Sequence, residues 1–143
     1  MSQVVLGALV LVSGALGPAW TGPARLATSA IGLVLIGAGA ILGIRGVLDL
    51  RENLTVFPRP VAGARLVETG AYTHVRHPIY GGIILAAVGW ALATASLPGL
   101  LAAAVLALFF GLKSRREEAW LVDEIAGYAA YRRRTRRFIP GLY

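Results

Sequence analysis

An uncharged run of 34 residues, from position 79 to position 112, constrains this chain more than any other feature. As a single helix rising about 1.5 Å per residue it would be roughly 51 Å long, whereas the hydrocarbon core of a bilayer is about 30 Å thick. The run must therefore fold back. Residues 96–99 near its middle read Ser-Leu-Pro-Gly, which favours a turn. The sequence predicts a helical hairpin over about 78–94 and 97–112.

Two further uncharged windows, 2–24 and 26–44, are each near or above the roughly 20 residues that span a bilayer core. Since 57% of the 143 residues are apolar and only 15% are charged, we expect one all-α integral membrane domain, 1–143. Its four membrane helices would lie at about 3–20, 27–48, 78–94 and 97–112. A cleaved signal peptide is the alternative for the first, but no Lys or Arg precedes Arg25, so we expect it to be retained.

The net charge of +7 is concentrated in two places. Of the 14 basic residues, five lie at or between helices two and three and eight follow helix four. The positive-inside rule then places the loop 49–77, the tail 113–143 and both termini in the cytoplasm, as in a bacterial-type inner membrane. The basic run 131–137 would hold anionic membrane lipids. This placement argues against nucleic acid as a partner, and the lack of cysteine excludes disulfides, thiol catalysis and cysteine metal sites.

Glycines in helix two, at positions 32, 37, 39, 43 and 46, would let another backbone approach closely. They favour packing within the chain and leave a homodimer contact, and hence the oligomeric state, open.

Residues 76–81, Arg-His-Pro-Ile-Tyr-Gly, stand at the predicted start of helix three. Pro78 suits the first helical turn, where free backbone amides favour a carboxylate or phosphate. His77 and Tyr80 would supply hydrogen bonds beside them. The alternative is simple anchoring of Arg76 and Tyr80 at the membrane interface. The loop before this motif is too long and too aromatic for an ordinary connection, which favours a functional role.

Glu117 follows helix four, and a hairpin would bring it close to His77. A carboxylate that faces a helix N-terminus and an imidazole forms a site with opposed charges. Together these groups are suited to binding the two ends of a zwitterion. The alternative is a solvated acidic face, in which Glu117 pairs with Lys113 four residues earlier.

Four short blocks stand in order around the predicted hairpin. They read Leu-Val-Glu-Thr-Gly-Ala-Tyr at 66–72, Val-Arg-His-Pro-Ile-Tyr-Gly at 75–81, Glu-Glu-Ala-Trp-Leu at 117–121 and, after Tyr128 and Tyr131, Arg-Phe-Ile-Pro at 137–140. In this order and spacing the chain from about 57 to 143 resembles the isoprenylcysteine carboxyl methyltransferase and phospholipid methyltransferase group of membrane enzymes. The first two helices show no specific match.

The resemblance implies transfer of a methyl group from S-adenosylmethionine to a lipophilic or amphiphilic acceptor, an isoprenylcysteine-like carboxylate or a lipid headgroup, at the cytoplasmic face. Lys113 stands where the family commonly has an arginine facing the substrate, and a lysine lacks the bidentate fork. With His77 and Tyr80 it forms the expected catalytic set. The cofactor-binding residues implied by position are Ala64, Arg65, Leu66, Val67, Tyr72, Arg76, His77, Pro78, Ile79, Tyr80 and Glu117.

Two other functions remain open at this stage: a non-enzymatic module that binds lipids or a partner, and an NADPH-dependent enzyme of the sterol-reductase type. A Rossmann-type methyltransferase is excluded, because no Gly-x-Gly-x-x-Gly follows a predicted strand. The acceptor atom, O, N or S, is not specified. If it needs a base, His74, His77 and Tyr72 are the candidates.

Overall fold

The computed structural model describes residues 2–16, 22–50 and 66–141, and the regular secondary structure of this part of the chain is helical. It contains no strand, only an isolated parallel bridge between Val75 and Arg136. A 3-10 turn, Gly70–Thr73, precedes the third helix. The five helices are α1 Ser2–Leu16, α2 Pro23–Leu50, α3 Pro78–Ala93, α4 Leu97–Glu124 and α5 Tyr128–Arg134.

The helices α2 and α3 lie within a few residues of their predicted bounds. The predicted end of the first helix at 20, and most of the loop 49–77 with Ala64 and Arg65, fall outside the described residues. The predicted end of the fourth helix at 112 is too early, since α4 continues to Glu124. Polar residues can continue a helix beyond its uncharged part, and the i,i+4 pair of Lys113 and Glu117 supports this extension.

Helix α4 begins at Leu97, as predicted, so the turn that follows α3 precedes the Pro-Gly pair. Pro98 and Gly99 belong to the first turn of α4, while Ala95 takes a left-handed conformation with φ 53°. The Ser96 amide donates to the Ala91 carbonyl, a closure typical of helix C-termini. The Ser96 hydroxyl accepts from the Gly99 amide at 3.1 Å, so this serine caps α4. Proline is tolerated just after such a cap because its missing donor would be unpaired there.

The chain divides into two compact units, and the first consists of Met1–Ile41 and Gly82–Phe109. Its core consists largely of small residues, with Val10 and Leu106 as buried larger ones. Ala91, Ala95 and Ala103 are fully buried, and a Cβ on Gly32 or Gly89 would meet backbone atoms of the facing helix. Many large apolar side chains of this unit are exposed instead, among them Val4, Val5, Leu26, Leu33, Val34, Ile41, Leu101 and Leu108.

This arrangement suits lipid. Helices in a bilayer gain little from hiding large apolar groups from lipid tails, so small residues line their contacts. Of the described helices, α2 and α4 are long and apolar enough to cross a membrane, while α1 and α3 are shorter apolar helices.

Gly39 and Gly37 offer a matched test of this packing. A Cβ on Gly39 would lie 2.5 Å from the carbonyl oxygen of Gly82 and 2.8 Å from the amide nitrogen of Ala86, whereas Gly37 has nothing within 4 Å. We expect Gly39→Val to lower the free energy of unfolding by about 1–3 kcal/mol through overpacking. Gly37→Val should have little effect. Thermal unfolding in detergent micelles measures both, and equal melting temperatures for the two variants would contradict the close α2–α3 contact.

Candidate functional site

The second unit, Leu42–Gly81 and Phe110–Tyr143, contains the Arg-His-Pro motif. A C-terminal segment, 135–138, runs beside residues 74–77. The amides of Arg76 and His77 donate to the carbonyls of Arg136 and Arg137 at 2.8 and 2.9 Å, and the Arg136 amide donates back to the His74 carbonyl. The carbonyl of Phe138 lies against Gly81, where a Cβ would collide with it. The end of the chain therefore fixes the backbone of the motif.

The turn before the motif is held from two sides. Asp49, near the end of α2, accepts the Ala71 amide at 2.7 Å. Tyr131 of α5 donates its hydroxyl to the Tyr72 carbonyl at 2.7 Å. Burial raises the pKa of Tyr131 to about 12 and that of Tyr72 further still, so both phenols stay protonated at neutral pH.

The first turn of α3 presents a stack of rings to α4. His77 lies parallel to Tyr80 with ring centroids 5.4 Å apart, and Tyr80 stacks on Phe110 at 4.5 Å. The Tyr80 hydroxyl donates to Glu117 Oε1 at 2.7 Å. The backbone amides of Ile79 and Tyr80 have no acceptor among the described residues, as expected behind Pro78 at a helix start.

Glu117 completes a cluster with three of the residues expected from the sequence. Its Oε2 lies 3.7 Å from His77 Nδ1, and its Oε1 lies 3.7 Å from Lys113 Nζ. The Lys113 ammonium also lies 5.0 Å from the centroid of the Tyr80 ring. The Glu117 and Lys113 side chains keep 11% and 13% of their surface exposed. The structure thus brings His77, Tyr80, Lys113 and Glu117 together, in agreement with the expected proximity of Glu117 to His77.

The sequence reasoning missed the role of Glu118. Its side chain is 1% exposed, and its Oε1 lies 2.9 Å from Arg76 Nε and 3.2 Å from His77 Nε2. Arg132 and Arg137 approach the same carboxylate at 3.2 and 3.4 Å. Charge was the available signal, because an arginine within a buried motif needs a carboxylate partner. Glu118 is a candidate partner distinct from Glu117, since successive residues of a helix point about 100° apart.

Glu118 lies past Lys113, beyond the uncharged part of α4. Burial alone would raise its pKa, but the hydrogen bonds from His77 and Arg76 outweigh burial and lower the pKa to about 2. The carboxylate is therefore ionised at neutral pH.

The other predicted site residues have different surroundings. Arg76 turns toward Glu118 and donates to the carbonyls of Arg132 and Thr135, so it does not face Glu117. Leu66 and Val67 are half-buried ahead of the 3-10 turn, and Tyr72 is buried within it. Ala64 and Arg65 lie outside the described residues. Pro78 and Ile79 lie against Gly46 of α2, so closely that a Cβ added to this glycine would touch both.

The cluster combines opposite charges at the start of one helix. The free amides of Ile79 and Tyr80 suit an anionic group, and the Glu117 carboxylate suits a cation or a pair of hydroxyls. Such a donor set can hold a zwitterion. The Tyr128 hydroxyl is buried in the same unit and has no partner among the described residues. No group of three potential metal ligands occurs in the described part of the chain.

Comparison with known proteins gives one match. A sequence model of the phospholipid methyltransferase family matches residues 27–127, well over half of the chain. The matched region includes the Arg-His-Pro motif and both glutamates and ends before Tyr128. No curated protein and no solved structure matches the chain.

Two tyrosines of α5 provide the test of how the motif is held. The Tyr131 hydroxyl donates a hydrogen bond to a buried carbonyl, whereas the Tyr128 hydroxyl has no hydrogen-bond partner in the described residues. We expect Tyr131→Phe to lower the free energy of unfolding by about 1–3 kcal/mol, since it leaves the Tyr72 carbonyl unpaired. The two tyrosines are similarly buried, with 4% of Tyr128 and 2% of Tyr131 exposed. Tyr128→Phe should nevertheless lower the free energy of unfolding much less, since it breaks no hydrogen bond among the described residues. Thermal melts in detergent compare the two, and an equal loss in both would contradict the role of the Tyr131 hydrogen bond.

Proposed function

Since the chain belongs to the phospholipid methyltransferase family, we propose that it transfers a methyl group from S-adenosylmethionine to a lipophilic or amphiphilic acceptor at the cytoplasmic face of a membrane. The family is one of membrane methyltransferases that act on lipid-related substrates. The methyl donor, the site residues and the membrane face are our proposals. The observation that carries them is the cluster of His77, Tyr80, Lys113 and Glu117 beside two free amides.

The donor set fits this cofactor. A methionine carboxylate would accept hydrogen bonds from the amides at the start of α3, and Glu117 would accept them from the ammonium or the ribose hydroxyls. Arg76 is unsuited to the carboxylate, because Glu118 and two carbonyls already engage its guanidinium. The segment with Leu66 and Val67 offers apolar surface for the adenine. His77, Pro78 and Tyr72 shape the same wall.

Bound S-adenosylmethionine supplies an electrophilic methyl group on a sulfonium. The residues of this chain supply position and exclude water. Glu117 is held by Tyr80 and Lys113, so its carboxylate is oriented before any ligand arrives. The stacked rings of His77, Tyr80 and Phe110 form an apolar surface beside it. Such an arrangement accelerates a displacement chiefly by orientation and by removal of solvent.

Lys113 is the residue that we assign to the acceptor. It lies over the Tyr80 ring and beside Glu117, at the point where the uncharged part of α4 ends. A single ammonium attracts a carboxylate or phosphate without the planar fork of an arginine. A carboxylate acceptor needs no base. For an amine or thiol, His77 is the best-placed proton acceptor, since His74 is exposed and Tyr72 is buried beneath the turn.

We propose that the protein spans the membrane with α1 to α4 and has both termini in the cytoplasm. The exposed large apolar side chains of the first unit support a lipid environment. Four exposed arginines have no carboxylate partner in the described residues and would contact anionic headgroups: Arg115, Arg116, Arg133 and Arg136.

Replacement of the cofactor-facing carboxylate tests the pocket. We expect Glu117→Gln to raise the dissociation constant of S-adenosylhomocysteine at least about tenfold, because a charged hydrogen bond contributes about 1.5–3 kcal/mol. Glu124→Gln removes an exposed acid from the same helix and should leave the constant unchanged. Isothermal titration calorimetry in detergent measures both. An unchanged affinity in Glu117→Gln would refute this pocket.

A ligand comparison tests the enzyme class. Only a ligand of the folded state raises the melting temperature, so we expect S-adenosylhomocysteine to stabilise the purified protein and NADPH not to do so. Stabilisation by NADPH alone would favour a reductase. No shift with either ligand would favour a non-enzymatic lipid-binding module.

A further inference from the structure

Glu118 has no role in the proposed chemistry, yet it is among the largest fully buried side chains of the described residues. Its neighbours come from three parts of the chain. Arg76 and His77 belong to the motif before α3, Arg132 to α5, and Arg137 to the C-terminal segment. A carboxylate retained at such a position needs an explanation, because its removal from water is costly.

Both oxygens of Glu118 are engaged by side chains of the protein. A carboxylate offers about four lone-pair sites. Oε1 lies within 3.4 Å of Arg76 Nε, His77 Nε2 and Arg137 Nε. Oε2 lies 3.2 Å from Arg132 Nε and 3.4 Å from Arg137 Nη2. Three of these five contacts are hydrogen bonds, with Arg76 Nε, His77 Nε2 and Arg137 Nη2, so most of the acceptor capacity of Glu118 is already used. Its sequence neighbour Glu117 instead faces Tyr80, Lys113 and the other edge of the His77 ring.

We propose that Glu118 is a positioning residue that contacts neither methyl donor nor acceptor, an inference that rests on the proposed function. It accepts the hydrogen bond of His77 Nε2 and thereby fixes the imidazole, so that Nδ1 faces Glu117. Its ion pairs with Arg132 and Arg137 attach α5 and the C-terminal segment to the motif. The same segment already holds the motif by backbone hydrogen bonds from Arg76 and His77. The two adjacent glutamates thus have separate roles, Glu117 for ligand contact and Glu118 for orientation.

The test uses a double substitution, Glu118→Met with Arg137→Met, which removes the carboxylate together with one of its buried cations. Arg76 keeps its hydrogen bonds to the Arg132 and Thr135 carbonyls. Arg137→Met alone is the matched control, since it leaves the contacts of Glu118 with Arg76 and His77. The chain has two histidines, and His74 is exposed. In a His74→Gln background, ¹⁵N-histidine labelling therefore reports on His77 alone. Ring ¹⁵N shifts and the dissociation constant of S-adenosylhomocysteine are measured on the full chain in detergent.

We expect the Nε2 resonance of His77 to shift in the double variant and to stay in place in Arg137→Met. The dissociation constant should rise by no more than about threefold in the double variant, against at least about tenfold in Glu117→Gln. Glu118→Asp keeps the charge but withdraws it by one methylene, so it should also shift the Nε2 resonance of His77. This variant replaces the double variant in the test if the double variant does not fold.

Two results would overturn the proposal. An unmoved Nε2 resonance would mean that Glu118 does not orient His77, and a loss of affinity as large as that of Glu117→Gln would mean that it contacts the ligand. A parent protein that fails to bind S-adenosylhomocysteine refutes the proposed function instead. That outcome is visible before any variant is made.

Discussion

A carboxylate taken out of water is stable only where cations and donors replace its hydration shell, and the second unit is organised by this requirement at Glu118. Arg76 and His77 approach it from the motif, Arg132 from α5 and Arg137 from the C-terminal segment. The first pair, 76–77, is far in sequence from the second, 132 and 137. The geometry of the proposed site therefore depends on one buried charge, because His77 bonds Glu118 on one side and approaches Glu117 on the other.

The first unit depends on a different constraint, the close approach of backbones. Gly32 and Gly89 pack against each other's helices so tightly that neither can carry a side chain without displacing main-chain atoms. Ser29 adds a hydrogen bond to the Ala93 carbonyl, and Ser96 adds one to the Ser13 carbonyl. In lipid such contacts stabilise helix pairs where apolar burial cannot. Small residues and short polar side chains therefore stabilise the helix packing of this unit, as large apolar residues do in a water-soluble core.

The helical class, the fold-back of the long uncharged run and the meeting of Glu117 with His77 follow from the sequence, since hydropathy and helix length determine them. The position of the turn follows as well, since α4 begins at the predicted residue 97, where Ser96 caps the helix and lets proline enter its first turn. The end of α4 was predicted too early, since loss of hydrophobicity ends a membrane segment but need not end a helix. The pairing of 74–77 with the chain end could not be predicted, because no local pattern encodes contacts between residues about 60 positions apart.

The position of Lys113 bears on what the proposed enzyme accepts. Its ammonium already has two favourable neighbours, the Glu117 carboxylate and the face of Tyr80. An arginine here could engage Glu117 with one edge of its guanidinium and an acceptor with the other, whereas a lysine has a single charged atom to share. A cation bound at Glu117 in the proposed site would weaken the attraction between that carboxylate and the ammonium, which would then attract a second anion more strongly. Occupation of the donor site would thus prepare the acceptor site, and an acceptor recognised by one charge suits the lysine better than one that needs a bidentate partner.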